Sequence, residues 1–153
     1  MDTNLLLESA QTLLAPLAER FEKPEEDRLD AYLPDPSRVV EAVQSIVDAG
    51  SWHLSAITGL DIPQTDSSEG NIELLYHFCQ RAAVVTLRIR VPYGLPESPS
   101  ICDVIPSATL YERELIEMFG VILEGTPVHD RLLLPDDWPD GVYPLRKSFK
   151  GLE

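Results

Sequence analysis

Ile72-Glu73-Leu74-Leu75-Tyr76-His77-Phe78 and, after a short break, Ala83-Val84-Val85-Thr86-Leu87-Arg88-Ile89-Arg90-Val91 decide the architecture of this chain. Apolar side chains at 72, 74, 76 and 78, and again at 83, 85, 87, 89 and 91, recur at every second position, which places them on one side of an extended strand. Thr86, Arg88 and Arg90 fall on the opposite side. One packed face and one polar face, joined through Gln80-Arg81, read as an antiparallel hairpin.

Working outward, Leu6, Ala10, Leu13, Leu14, Leu17 and Phe21 recur at helical intervals and predict an amphipathic helix ending near Lys23-Pro24. Arg28 to Leu33 is extended. Asp35 is placed to cap a helix whose first residue is Pro36, with Val39, Val40, Val43, Ile46 and Val47 buried and Gly50 as its stop. Trp52 to Gly59 reads as a strand and Asp61 to Gly70 as a polar loop. On the other side of the hairpin, Pro92 to Pro99 ends the sheet. Ser107 is a candidate cap for a helix running to Phe119, which Gly120 closes, and Val121 to Leu123 follows as a short apolar piece. The expected fold is α+β, with helices on one face of a mainly antiparallel sheet and an extended C-terminal arm. Residues 1–123 form the domain (1–27 N-terminal helix, 28–106 sheet with helix, 107–120 third helix) and 124–153 a partner-binding tail.

A chain of 153 residues fits one domain and buries roughly two thirds of its unfolded surface. Twelve Lys and Arg oppose 26 Asp and Glu, a net charge of -14, which disfavours nucleic acid phosphates and anionic membranes as partners. Cys79 and Cys102 are too few for a zinc or iron-sulfur site and read as reduced thiols in a cytoplasmic protein. Leu5-Leu6-Leu7, after Asp2 and before Glu8, makes a poor secretory signal, and no apolar run approaches the roughly 20 residues of a membrane span.

Catalytic chemistry finds little support. Glu112 and Glu114 lie two apart on the third helix and diverge by about 200 degrees, so they cannot bracket one substrate bond. His53, His77 and His129 are scattered, Asp136-Asp137 reads as a solvated turn, and no phosphate loop or nucleophile setting occurs. A free-standing acidic enzyme using Glu or Asp as general acid and base stays open as an alternative.

What remains is an ordered pattern. Glu112-Arg113-Glu114, Glu117-Met118-Phe119-Gly120-Val121, Gly125 with Pro127, Arg131-Leu132-Leu133, Pro135 and Pro144-Leu145-Arg146-Lys147 follow one another over some forty residues. This pattern resembles the signature of the C-subunit family of bacterial NADH:quinone oxidoreductase, respiratory complex I, and of its counterparts in membrane-bound energy-converting nickel-iron hydrogenases. The resemblance runs from about Leu29 to the C-terminus. Thr126 stands where many members carry His, and Asp130 where many carry a basic residue or Pro, which leaves the branch open.

The resemblance implies a subunit without its own cofactor, peripheral on the cytoplasmic face of the membrane as part of a complex. Such a subunit holds a large catalytic subunit related to nickel-iron hydrogenases against a small iron-sulfur subunit. Iron-sulfur clusters, and nickel-iron in the hydrogenase branch, belong to those partners. The expected partner interface is Glu112, Arg113, Glu114, Glu117, Phe119, Gly120, Arg131, Leu133, Leu134, Pro135, Trp138, Pro144, Arg146 and Lys147. Leu132, Leu133, Leu134 and Trp138 supply apolar anchors, and Arg146 and Lys147 meet carboxylates. A proton relay through Glu114 or Glu117 is the remaining alternative.

Overall fold

The computed structural model describes residues 2–152. Its centre is the expected hairpin. Strands β4 (Asn71–Gln80) and β5 (Ala83–Pro92) pair in register from Asn71 opposite Pro92 to Gln80 opposite Ala83, and Arg81 turns the chain with φ 54°. Strand β3 (His53–Ile62) lies antiparallel on the outer side of β4 and runs past Gly59, because the ladder continues through Asp61 opposite Ile72. Ile57, Tyr76 and Leu87 lie side by side across the three strands, and all are buried.

Strand β2 (Arg28–Tyr32) lies parallel to β5 and β1 (Arg20–Glu22) antiparallel to β2, giving the sheet order β1-β2-β5-β4-β3. The first helix, α1 (Thr3–Leu14), is shorter than its apolar spacing predicts. Pro16 has no N–H to continue the ladder, so the helix closes at Ala15, whose own backbone is still helical with φ -54° and ψ -35°. The chain turns through bonds from the Leu17 and Ala18 N–H groups to the Leu14 carbonyl, so Phe21 belongs to a strand opposite Ala31. Helix α2 (Val39–Asp48) follows a 3-10 turn over Pro36–Arg38, where the Asp35 carboxylate accepts from the Ser37 N–H at 2.7 Å. Leu6, Leu7, Ala10 and Leu14 of α1 and Val39, Ala42, Val43 and Ile46 of α2 join the hairpin's apolar face in one core.

The opposite sheet face is polar but not loose. Glu73 is 1% exposed because Arg88 and Arg90 both pair with its carboxylate, and Arg88 also reaches Asp30 at 2.8 Å.

After β5 a short strand β6 (Glu97–Pro99) leads to helix α3 (Thr109–Phe119), and β7 (Ile122–Glu124) returns parallel to β6. Ser107 does not cap α3; it lies inside a 3-10 turn over Pro106–Ala108 that begins from Ile105. Proline at the first position presets the turn and starts it before Ser107 is reached. Gly120 closes α3 with φ 71°, as expected. Helix α3 packs over β3, where a side chain at Gly59 would occupy the space of the Phe119 ring.

A candidate docking platform held by the third helix

Helix α3 presents two buried carboxylates, and each binds a different stretch of distant chain. Glu112 is fully buried. It shares a stripe with Leu115 and Phe119, which points it inward. One carboxylate oxygen accepts from the Ile101 N–H at 2.8 Å. The other accepts from the Ser100 hydroxyl at 2.7 Å, the Thr126 hydroxyl at 2.6 Å and the Cys102 thiol at 3.1 Å. Four donors from two loops thus converge on one side chain. Burial, acting first, and the neighbouring Glu112 push the Cys102 thiol above its ordinary pKa. Deeper in the same region, the Tyr76 hydroxyl is also pushed up by burial.

Glu117 grips the C-terminal arm. Its carboxylate accepts from the N–H groups of Leu132 at 2.6 Å, Leu133 at 2.8 Å and Leu134 at 3.4 Å. Burial alone raises this carboxyl, but the three N–H donors and Arg131 outweigh it and hold the pKa below the ordinary 4.5. An acid ionised this firmly is poorly matched to passing protons at neutral pH. The alternative relay group, Glu114, is exposed.

The depressed pKa has a defined sign in stability. Its contribution is complete above the ordinary carboxylate range and is lost as pH falls through the folded-state value. Amide exchange at Leu132, Leu133 and Leu134 should therefore accelerate in acid before the sheet opens. In Glu117→Gln the same amides should be weakly protected at every pH, with about 2 kcal/mol of local stability lost. Wild-type protection that did not change below about pH 4 would rule out this clasp.

The rest of the arm is laid along the same helix. Arg113 donates to the Asp130 carbonyl at 2.8 Å and the Arg131 carbonyl at 3.3 Å. Arg131 donates to the Trp138 carbonyl at 3.1 Å, and the Trp138 indole to the Val142 carbonyl at 2.8 Å. At the helix end the Tyr143 ring fills the space a side chain on Gly120 would need. Two otherwise orphaned carbonyls there are satisfied by the arm: Met118 accepts from the Leu145 N–H at 3.1 Å, and Phe119 from Arg146 Nε at 2.6 Å. Asp61 on β3 completes the dock, accepting from the Lys147 N–H at 2.7 Å and from the Tyr93 hydroxyl. That bond and burial raise Tyr93 to about 12, burial being the larger cause.

This geometry re-sorts the expected interface. Glu112, Glu117 and Phe119 are buried within the chain, so the expectation that they face a partner gives way to an internal role. Gly120 lies under Tyr143, while Arg113 and Arg146 hold backbone carbonyls of their own chain. Leu133, Pro135, Lys147 and Glu114 remain exposed, and Leu134, Trp138, Pro144 and Arg131 are partly so. Sequence reasoning missed Asp61, Tyr143 and Thr126 as members of the dock. Thr126 carried a signal, as a departure from the resembled pattern, and Asp61 and Tyr143 adjoin stretches that belong to it.

A groove of about 430 Å³ runs between the end of α3 and the arm, lined among others by Ile116, Glu117, His129, Arg131 and Tyr143. Among the described residues no group of three or more His, Cys, Asp and Glu is gathered as a metal site. No described helix is long and apolar enough to cross a membrane.

The fold and the clasp together define a class: an α+β domain whose C-terminal arm is fastened over its own signature helix. Residues 33–153 match the family described as respiratory-chain NADH dehydrogenase, 30 Kd subunit, and the chain belongs to that family. The NADH-quinone oxidoreductase C-subunit of Roseiflexus castenholzii is 31% identical over 141 residues, covering 79% of each chain. Formate hydrogenlyase subunit 5 of Escherichia coli is 49% identical over 64 residues, which are 42% of this chain and 11% of that protein. The F(420)H(2) dehydrogenase C-subunit of Methanosarcina mazei is 37% identical over 101 residues, 65% of this chain and 61% of its own. The chain thus spans less than two thirds of the length of the last two. A chain from the membrane-bound sulfane sulfur reductase, an archaeal respiratory membrane complex, superposes with a TM-score of 0.79 over 95% of this chain and 85% of its own, at 28% identity. A trypsin-resistant fragment of Nqo5 shares the fold, with a TM-score of 0.64 over 86% of this chain and all of the fragment, at 24% identity.

Proposed function

We propose that this chain is a structural and assembly subunit of the hydrophilic arm of a complex I-like, ion-translocating redox complex. It holds a large catalytic subunit, related to nickel-iron hydrogenases, against a small iron-sulfur subunit. In this reading it sits peripherally at the cytoplasmic face of the membrane, and the redox cofactors belong to its partners.

The observation that carries the reading is an arm fastened from within yet apolar outside. Glu117, Arg113 and Asp61 order the arm, while Leu133, Leu145 and Leu152 remain 58%, 52% and 55% exposed. A lone chain gains nothing from rigidly displaying leucines, whereas a preordered apolar surface lowers the ordering cost of association. The names of the relatives, all subunits or chains of redox complexes, support the same reading.

The test is native purification of tagged chain with Leu133 and Leu145 both changed to Asp. Both side chains are exposed, so circular dichroism and melting should match the wild type. Recovery of the iron-sulfur and large subunits should fall at least tenfold, a loss of about 1.4 kcal/mol or more. Undiminished recovery would rule out the arm as the docking surface.

A further inference from the structure

The last described stretch of the arm is basic within an acidic chain. Residues 141–152 carry Arg146, Lys147 and Lys150 and no Asp or Glu, in a chain whose net charge is -14. They enclose a pocket of about 420 Å³ lined by Tyr143, Arg146, Ser148, Phe149 and Lys150 with flanking glycines. Nothing in the clasp requires this concentration of positive charge, because among the three basic residues only Arg146, through Nε, and Lys147, through its backbone N–H, form hydrogen bonds in it.

Arg146 is mounted with care for its unused side. Its Nε donates to the Phe119 carbonyl at 2.6 Å, and its guanidinium carbon lies 5.0 Å from the Tyr93 ring centre and 5.5 Å from that of Tyr143. Those contacts fix the plane of the guanidinium and leave both Nη groups without a hydrogen-bond acceptor among the described residues. Asp61, the carboxylate of the adjoining strand, is already occupied by Tyr93 and the Lys147 N–H. Lys147 and Lys150 are exposed and form no ion pair among the described residues. Leu145 and Leu152, each more than half exposed, belong to the same segment.

We propose that this pocket receives a carboxylate of a partner protein, an Asp, Glu or C-terminal group, held by the Arg146 fork with Lys150 beside it. The proposal rests on the assembly reading above and adds the contact chemistry to it. A planar guanidinium with two free amino groups matches a carboxylate bidentately. The exposed leucines favour an acid mounted on an apolar protein surface over a free ion. The net charge of -14 on the chain as a whole repels polyanions such as nucleic acid or an anionic bilayer, but tolerates one acid on a partner.

Carbodiimide coupling in the purified native complex tests this directly. The reagent activates a carboxylate, a lysine amine in contact attacks it, and an amide forms as the urea leaves. The expected product is an amide from Lys150 or Lys147 to an Asp, Glu or C-terminus of another subunit, located by mass spectrometry. Lys150→Glu should lower partner recovery about tenfold at low salt and much less at high salt. Arg146→Gln should do the same if its circular dichroism is unchanged; Lys150→Glu, which removes no internal contact, keeps the test decisive if it is not. An intact complex in which these lysines couple only within their own chain, with Lys150→Glu assembling at wild-type yield, overturns the proposal. Inorganic phosphate binding the free chain, with no inter-subunit amide in the complex, marks a free-anion pocket and overturns it equally. A chain that purifies with no other subunit overturns the assembly reading itself, and this proposal with it.

Discussion

Glu112→Ala should unfold the region around α3 and lower stability by about 3 kcal/mol. The Ile101 N–H points at the carboxylate from a buried backbone position, and its hydrogen bond is to Glu112. One orphaned buried donor costs about 1–3 kcal/mol, and the cavity left by the missing Cγ, Cδ and two carboxylate oxygens adds to it. The hydroxyls soften the loss, since Thr126 already shares its proton with the Leu123 carbonyl at 3.0 Å. For a chain of this size the melting temperature should fall by roughly 6–12 °C. Glu112→Gln preserves the volume but offers the Ile101 N–H only one acceptor oxygen, so it should lie between the two. A melting temperature within about 2 °C of wild type for Glu112→Ala would show that Ser100 to Cys102 and Thr126 do not depend on α3.

Gly120→Val should be nearly as damaging, for two separable reasons. The position has φ 71°, where a β-branched side chain is strained by about 1–2 kcal/mol. In addition, the new Cβ would overlap the Tyr143 ring, which has to leave and take with it the Leu145 and Arg146 contacts to the helix end. The sum is about 3 kcal/mol. The components separate in a double variant: with Tyr143→Ala already in place, Gly120→Val should cost only the backbone strain. Equal penalties in both backgrounds would show that Tyr143 does not rest on Gly120.

Much of the framework was legible in the chain because strand faces are a local property. Every apolar position of the hairpin read from period two is buried, and Arg88 and Arg90 lie on the polar side. Gly120 was legible for the same kind of reason, as a left-handed residue closing an amphipathic helix. The end of α1 was misread because the apolar spacing continues through Leu17 to Phe21, while Pro16 breaks the backbone beneath it. Periodicity records which side chains seek burial and is blind to whether the backbone can still be helical.

The order of residues alone thus carries the hairpin and its buried face, the left-handed close of α3, and, through the ordered residues from Glu112 to Lys147, the family to which the chain belongs. The parallel seat of β2 beside β5 came only from tertiary structure, as did the inward turn of the charged helix. Glu112 shares a stripe with Leu115 and Phe119, yet a carboxylate on such a stripe stays inside only if donors from elsewhere meet it. Ser100, Ile101 and Thr126, like Leu132 to Leu134 at Glu117, arrive from segments whose approach no local pattern encodes. Desolvating an acid is prohibitive until those donors are in place, so Glu112 and Glu117 become fastenings of the loops and the arm only once the chain is folded.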